Sequence, residues 1–182
     1  MHRLFVALRP PPAIRARLRE TIGGVPDARW QDDDQLHLTL RFIGAVERPL
    51  AEEIALALGT IAGAAPRVSL AGVGRFERRG RTDALWAGVT PHGPLAALHR
   101  KVDRALVRIG LTPERRAYLP HVTIARLSGG AGHGPAIGQW LARHAALASE
   151  PFALTHITLY ESTLGAGGAR YTAIARWPLD PA

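Results

Sequence analysis

Two tetrapeptides constrain this chain more than any other feature. His37–Leu40 and His121–Ile124 both read His-x-Thr-x with apolar residues at the x positions, and similar elements surround each of them. The first half reads as a strand at Arg3–Leu8, a helix from about Pro11 to Thr21 and a strand at about Leu36–Phe42. A helix at about Pro49–Ile61 and a strand at about Val68–Val73 follow. The second half reads as a strand at Ala84–Val89, a helix at about Leu95–Ile109 and a strand at His121–Leu127. It continues with a helix at about Ala136–His144, a strand at Phe152–Ser162 and one extra strand at Tyr171–Trp177. The tetrapeptides start 84 residues apart, the strands closing each half also 84, and the opening strands 81. Residue identity between the halves is low, so the repeat is one of elements. It predicts an α+β fold with α/β-type alternation, built as two pseudo-symmetric lobes with a cleft between them. Each lobe is expected to hold an antiparallel-rich sheet with helices outside. One bilobal domain is expected over 1–182, with repeats at about 3–73 and 84–177.

A third tetrapeptide, His156–Leu159, has the same form but a different place. Its position minus 84 is Gly72, so it lies on the closing strand of its half and its counterpart carries no histidine. Thr158, Tyr160 and Ser162 continue an ordinary polar face, and Glu161 would oppose an anion. The expectation is that His156 stands apart from the other two.

Side chains at i and i+2 of a strand share a face about 6.6 Å apart. Strict alternation therefore puts His37, Thr39 and Arg41 on one face and Leu38, Leu40 and Phe42 on the other. His121 and Thr123 share a face likewise, while Arg126 falls on the apolar side unless the strand has ended or carries a bulge. If the two lobes face each other, two imidazoles flank one bound group. Histidine titrates near neutrality, so one can act as base and the other as acid, while threonine hydroxyls and an arginine hold phosphoryl oxygens. A single His-x-Thr-x is a weak signal, since Thr favours strands and a lone His is more often a satisfied or surface group. Two copies at matching places of a repeat are harder to explain that way.

Composition narrows the alternatives. The chain has no cysteine, which excludes thiolate catalysis and zinc–thiolate sites. The opening run MHRLFVALRPPP is too short and too proline-rich for a signal peptide, and no apolar stretch approaches the ~18 residues of a membrane helix. A cytoplasmic protein with no membrane association is expected. The formal charge is +8, and 22 of the 23 basic residues are arginine. Codon composition accounts for arginine replacing lysine, but the positive field remains and favours an anionic partner. No phosphate loop ending in Lys-Ser or Lys-Thr is present, and the eight histidines show no compact metal-ligand spacing. Asp32–Asp34 reads as a solvated turn; His92, His99, His133 and His144 read as surface.

The stretches RLFVAL with its prolines, LHLTLRFIG, LWAGV, YLPHVTIARL and LYESTL followed by GARY together resemble the two-histidine (2H) phosphoesterases. Specifically, they are similar to the RNA 2′,3′-cyclic phosphodiesterases, also called 2′-5′ RNA ligases, over essentially the whole chain. The resemblance implies metal-free hydrolysis of an RNA terminal 2′,3′-cyclic phosphate to a 2′-phosphate, with no cofactor. It makes His37 the proton donor and His121 the proton acceptor, roles that spacing cannot assign. It places Thr39, Thr123, Arg126 and Arg41 around the phosphate. Phe42 and Tyr118 are candidate base contacts, because Leu119 stands where the family often has an aromatic. The implied partner is RNA with a 2′,3′-cyclic phosphate end, or a cyclic nucleotide, and a monomer is expected. Two other readings are a 2′-5′ ligase joining tRNA halves by the reverse chemistry and a non-catalytic RNA-end binder.

Overall fold

The computed structural model describes residues 1–165 and 168–181. In chain order the elements are β1 (His2–Leu8), α1 (Pro12–Arg19), β2 (Arg29–Trp30), a 3-10 turn (Asp33–Gln35), β3 (Leu38–Val46) and α2 (Arg48–Gly59). Then come β4 (Arg67–Arg78), β5 (Arg81–Thr90), α3 (Gly93–Arg108), β6 (His121–Arg126) and a 3-10 turn (Gly129–Gly132). The chain ends with α4 (Pro135–His144), β7 (Phe152–Ala153), β8 (His156–Gly165) and β9 (Gly168–Pro178).

The four α-helices among the described residues each carry a proline in the first turn, where the missing N–H costs nothing. Each buries one stripe, such as Leu95, Leu98, Val102 and Leu106 of α3, at the three- and four-residue spacing of a helix face. These stripes meet one face of the sheet in a continuous core that includes Leu38, Leu40, Val122 and Ile124.

The sheet order is β7-β4-β5-β6-β3-β1-β8-β9, with β2 on β6, and every pairing between these strands is antiparallel. The expected bilobal α+β architecture is present, with two differences. The lobes share one curled sheet instead of owning two. The two tetrapeptide strands meet in the sheet at the Leu38↔Val122 pair of β3 and β6, which forms its seam. Farther along β6, Arg126 and Ala125 pair with Arg29 and Trp30 of β2, so β3 and β6 part from the seam and leave a cleft. The second difference is an exchange. Outward from the seam each side reads tetrapeptide strand, opening strand, closing strand, but β4 lies beside β5 and β8 beside β1. Each half thus hands its closing strand to the other lobe.

The segment expected as one strand at Phe152–Ser162 makes this crossing visible. Its start, β7, pairs with β4, and two residues later β8 pairs with β1. Three Cα steps span at most about 11 Å, so the two flanks of the sheet must come within that reach. The curl follows from the connection.

Candidate active site

The seam register places the tetrapeptides. Extending Leu38↔Val122 by one residue sets His37 opposite Thr123 and Thr39 opposite His121 on the face away from the helices. Two histidines and two threonines then occupy two adjacent rungs. The histidines lie on a diagonal, typically ~7–8 Å in such pairs. All four side chains line one cleft of about 410 Å³.

Each imidazole is aimed by a carbonyl two residues upstream. His37 Nδ1–H donates to the Gln35 carbonyl at 2.7 Å, and His121 Nδ1–H donates to the Leu119 carbonyl at 2.7 Å. A carbonyl only accepts, so both rings are fixed as the Nδ1–H tautomer, and both Nε2 atoms are left without a partner among the described residues. Gln35 is itself held. It closes a capping box with Asp32 over the 3-10 turn, and its amide donates to the Ala169 carbonyl at 2.7 Å. The acidic turn read as merely solvated is therefore the mount for His37, and Arg9 and Arg15 anchor it through Asp33 and Asp34.

Aromatic rings wall both histidines. Phe5 lies 4.9 Å from the His37 ring, and Tyr171 meets it edge-on at 5.2 Å. Phe76 meets His121 edge-on at 4.8 Å, with Trp86 6.0 Å away. Gly74 makes room for that indole, since a Cβ there would fall 2.3 Å from the Trp86 ring. Burial among these rings is the main cause that lowers His37 from 6.5 to about 4, against its hydrogen bond to Gln35, with the positive field of Arg126 adding to the fall. His121 is lowered for the same leading reason. In the free protein near pH 7 both rings are neutral.

Strand alternation fails twice on β3 and once on β6, and one of these bulges lies inside each tetrapeptide. On β3, Ala7 pairs with Thr39 but Val6 pairs with Arg41, so Leu40 is an extra residue in a β-bulge. On β6, Trp86 pairs with Thr123 but Leu85 pairs with Ala125, so Ile124 is the extra residue. The bulges correct two expectations. Arg41 does not share the face of His37 and Thr39. It is turned toward α3, where Nε donates to Asp103 at 2.9 Å, Nη1 to Glu114 at 3.3 Å and to the Phe42 carbonyl, and Nη2 to the Thr112 carbonyl. With its donors engaged there and 8% of the residue exposed, it braces the cleft wall and has no fork left for a phosphate. Phe42, expected on the apolar face, is carried into the cleft mouth and is 59% exposed. Arg126 reaches the cleft through the bulge that alternation required of it.

Tyr118 lines the cleft as part of its wall. Its ring stacks on His99 at 4.3 Å, and its hydroxyl donates to the Thr39 carbonyl at 3.3 Å. His99, read as surface, donates from Nδ1 to the carbonyl of the bulged Leu40 at 2.8 Å. Sequence reasoning missed it, along with Phe5, Phe76 and Trp86. One signal was available for the rings: Phe76 and Tyr160 are 84 residues apart, the offset of the tetrapeptides. Among the described residues no three His, Asp or Glu side chains are gathered as a metal site, and no helix is long and apolar enough to cross a membrane.

Residues 10–166 match the 2′-5′ RNA ligase superfamily. The chain belongs to that family. It is 41% identical over 117 residues to an RNA 2′,3′-cyclic phosphodiesterase of Aeropyrum pernix, an alignment covering 63% of this chain and 66% of that protein. It is 30% identical over 182 residues to the RNA 2′,3′-cyclic phosphodiesterase of Escherichia coli K12, covering 97% and 96% of the two chains. The crystal structure of E. coli LigT complexed with 3′-AMP is similar over 98% of each chain, with a TM-score of 0.76 and 28% identity.

Proposed function

We propose that this member of the 2′-5′ RNA ligase superfamily is an RNA 2′,3′-cyclic phosphodiesterase that hydrolyses a terminal 2′,3′-cyclic phosphate to a 2′-phosphomonoester. The reading rests on one observation above the rest. Two imidazoles with fixed tautomers present bare Nε2 atoms to one cleft, beside two hydroxyls and a guanidinium. The family's relatives of known name and the nucleotide held by LigT support the substrate class.

His121 Nε2 takes a proton from water, and the water oxygen attacks phosphorus. The bond from phosphorus to O3′ breaks, and protonated His37 delivers its Nε2 proton to O3′, leaving the phosphate on O2′. Thr39, Thr123 and Arg126 hold the non-bridging oxygens as charge builds on them. The donor role asks His37 to be protonated although burial keeps it neutral in the free protein. The anionic phosphate offsets this by favouring the imidazolium once bound. Phe42 offers its exposed ring to the base. The unit that performs this is the whole bilobal chain with its repeats at about 3–73 and 84–177. Matching ladder registers in the two lobes support the repeat: Ala7↔Thr39 and Val6↔Arg41 correspond to Trp86↔Thr123 and Leu85↔Ala125.

The test is incubation with a 2′,3′-cyclic nucleotide and an RNA bearing that end, in EDTA, with the product phosphate located. A 2′-phosphate is expected. A 3′-phosphate, or binding without turnover, contradicts the proposal.

A further inference from the structure

The third tetrapeptide faces a second pocket of about 380 Å³ on the same concave side of the sheet. Its chemistry resembles that of the first. His156 and Thr158 project from β8 at i and i+2, and Thr158 pairs across the ladder with Arg176 of β9. Arg9, between β1 and α1, and Arg15 of α1 close the pocket, and Tyr160 forms the side toward the active cleft. Glu161, which the sequence set against an anion here, alternates to the other face and pairs with His2 at 2.8 Å.

The arginines retain donors. Among the described residues Arg9 contacts Asp33 and Asp34 only through Nη2, and Arg15 uses Nε and Nη1 but not Nη2. Arg176 makes no ion pair among the described residues. Neither Asp33 nor Asp34 lines the pocket. Histidine, threonine and forked guanidinium donors around a concavity form a phosphate-binding set.

Position identifies which phosphate. β8 lies two strands from β3, about 10 Å across the sheet. The Phe5 and Tyr160 rings, stacked at 5.2 Å, lie between the pocket and His37, with Tyr160 6.1 Å from that imidazole. These rings are buried and act as a spacer, so the two sites lie in series on one concave face, as the backbone phosphates of a single strand followed by a basic groove require.

We propose that the pocket of Arg9, Arg15, His156, Thr158 and Arg176 is a second subsite that holds a backbone phosphodiester of the RNA strand whose cyclic end occupies the His37–His121 cleft. The proposal rests on the phosphodiesterase reading. It makes the protein prefer a strand over a mononucleotide.

The experiment compares a short oligoribonucleotide with a mononucleotide, each ending in a 2′,3′-cyclic phosphate, in the wild type, Arg176→Gln and His156→Ala. Arg176 is exposed, so its replacement leaves the core intact. The ratio of kcat/KM for oligomer over mononucleotide should fall about tenfold in Arg176→Gln, the size of one charged hydrogen bond. Direct binding of the same oligomer ending in a 2′-phosphate, followed by fluorescence anisotropy, should weaken similarly, with the salt slope reduced by about one unit. Unchanged ratios and unchanged oligomer affinity in both variants would overturn the subsite. If the wild type turns over neither substrate, the phosphodiesterase reading fails while the anisotropy measurement still decides the subsite.

Discussion

Phe42 and Arg126 occupy the same position in the two tetrapeptide strands. Each lies three residues beyond its threonine and just past a one-residue bulge, and each pairs with the opening strand of its lobe, Phe42 with Phe5 and Arg126 with Ala84. One lobe therefore offers an aromatic ring where the other offers a cation. In the proposed reading this gives a nearly symmetric cleft a direction, with the phosphate drawn toward Arg126 and the base toward Phe42. Arg126→Ala should lower kcat/KM by about 100-fold, the scale of a lost charged donor to a transition state. Phe42→Ala should act mainly on KM, by about tenfold for loss of one stacking surface. Steady-state kinetics on a cyclic nucleotide check both, and equal effects on KM in the two variants would refute the proposed polarity.

His37→Ala and His121→Ala should each cut kcat by about 10² to 10⁴, because each removes one proton transfer. The double variant should be little worse than either alone, since acid and base act as a unit. Wild-type turnover should be the same with and without EDTA. Near-normal kcat in His121→Ala would show that the proton acceptor lies elsewhere.

The lowered histidines predict an acid-shifted pH profile. For kcat/KM, which reports the free enzyme, the bell should lie on the acid side of pH 6.5, because burial depresses both rings and takes His37 to about 4. For kcat, which reports the complex, both limbs should move to higher pH as the bound phosphate favours the imidazolium. Arg126→Ala removes a positive neighbour of both rings and should raise the kcat/KM limbs. A kcat/KM bell centred above pH 7 would contradict this electrostatic account.

The same shift bears on stability. His37 binds its proton more weakly when folded than when unfolded, so between pH 6.5 and about 4 the unfolded chain carries the extra proton. Stability should therefore be lost as pH falls through that window and recovered as it rises. Thermal unfolding should show a smaller loss of Tm from pH 7 to pH 4.5 in His37→Asn than in the wild type. Identical slopes would place the acid sensitivity elsewhere.

Arg41 should behave as a structural residue. Arg41→Ala leaves the Asp103 and Glu114 carboxylates without their buried partner and should cost about 3–5 kcal/mol of stability. Asp103→Asn should lower Tm as well, which a phosphate-binding role for Arg41 does not predict. If Arg41→Ala instead keeps its Tm and loses phosphate inhibition, the bulge at Leu40 does not hold in solution.

Much of the fold was legible because its signals are local. Prolines in the first turn with three- and four-residue apolar stripes mark α1 to α4, and alternation marks the long strands. The recurrence of His-x-Thr-x at matching offsets singled out His37 and His121 over His156. The faces of Arg41 and Phe42 could not be read this way. A bulge is set by how a strand meets its neighbour, and β1 lies some thirty residues away in sequence. His99 escaped notice because a histidine on a helix shows nothing of the carbonyl it will meet.

The sequence by itself determined which residues alternate, which segments coil and which histidines stand in equivalent places, since these depend on backbone preference and local side-chain periodicity. Tertiary structure decided which strands lie side by side. It gave β8 to β1 and set the local β4–β5 hairpin against β6, and so brought Tyr160 to His37 and Phe76 to His121. It also set the ladder registers that turn Arg126 inward and Arg41 away. Pairing between distant strands depends on burying the whole sheet at once, and no window of sequence contains that energy.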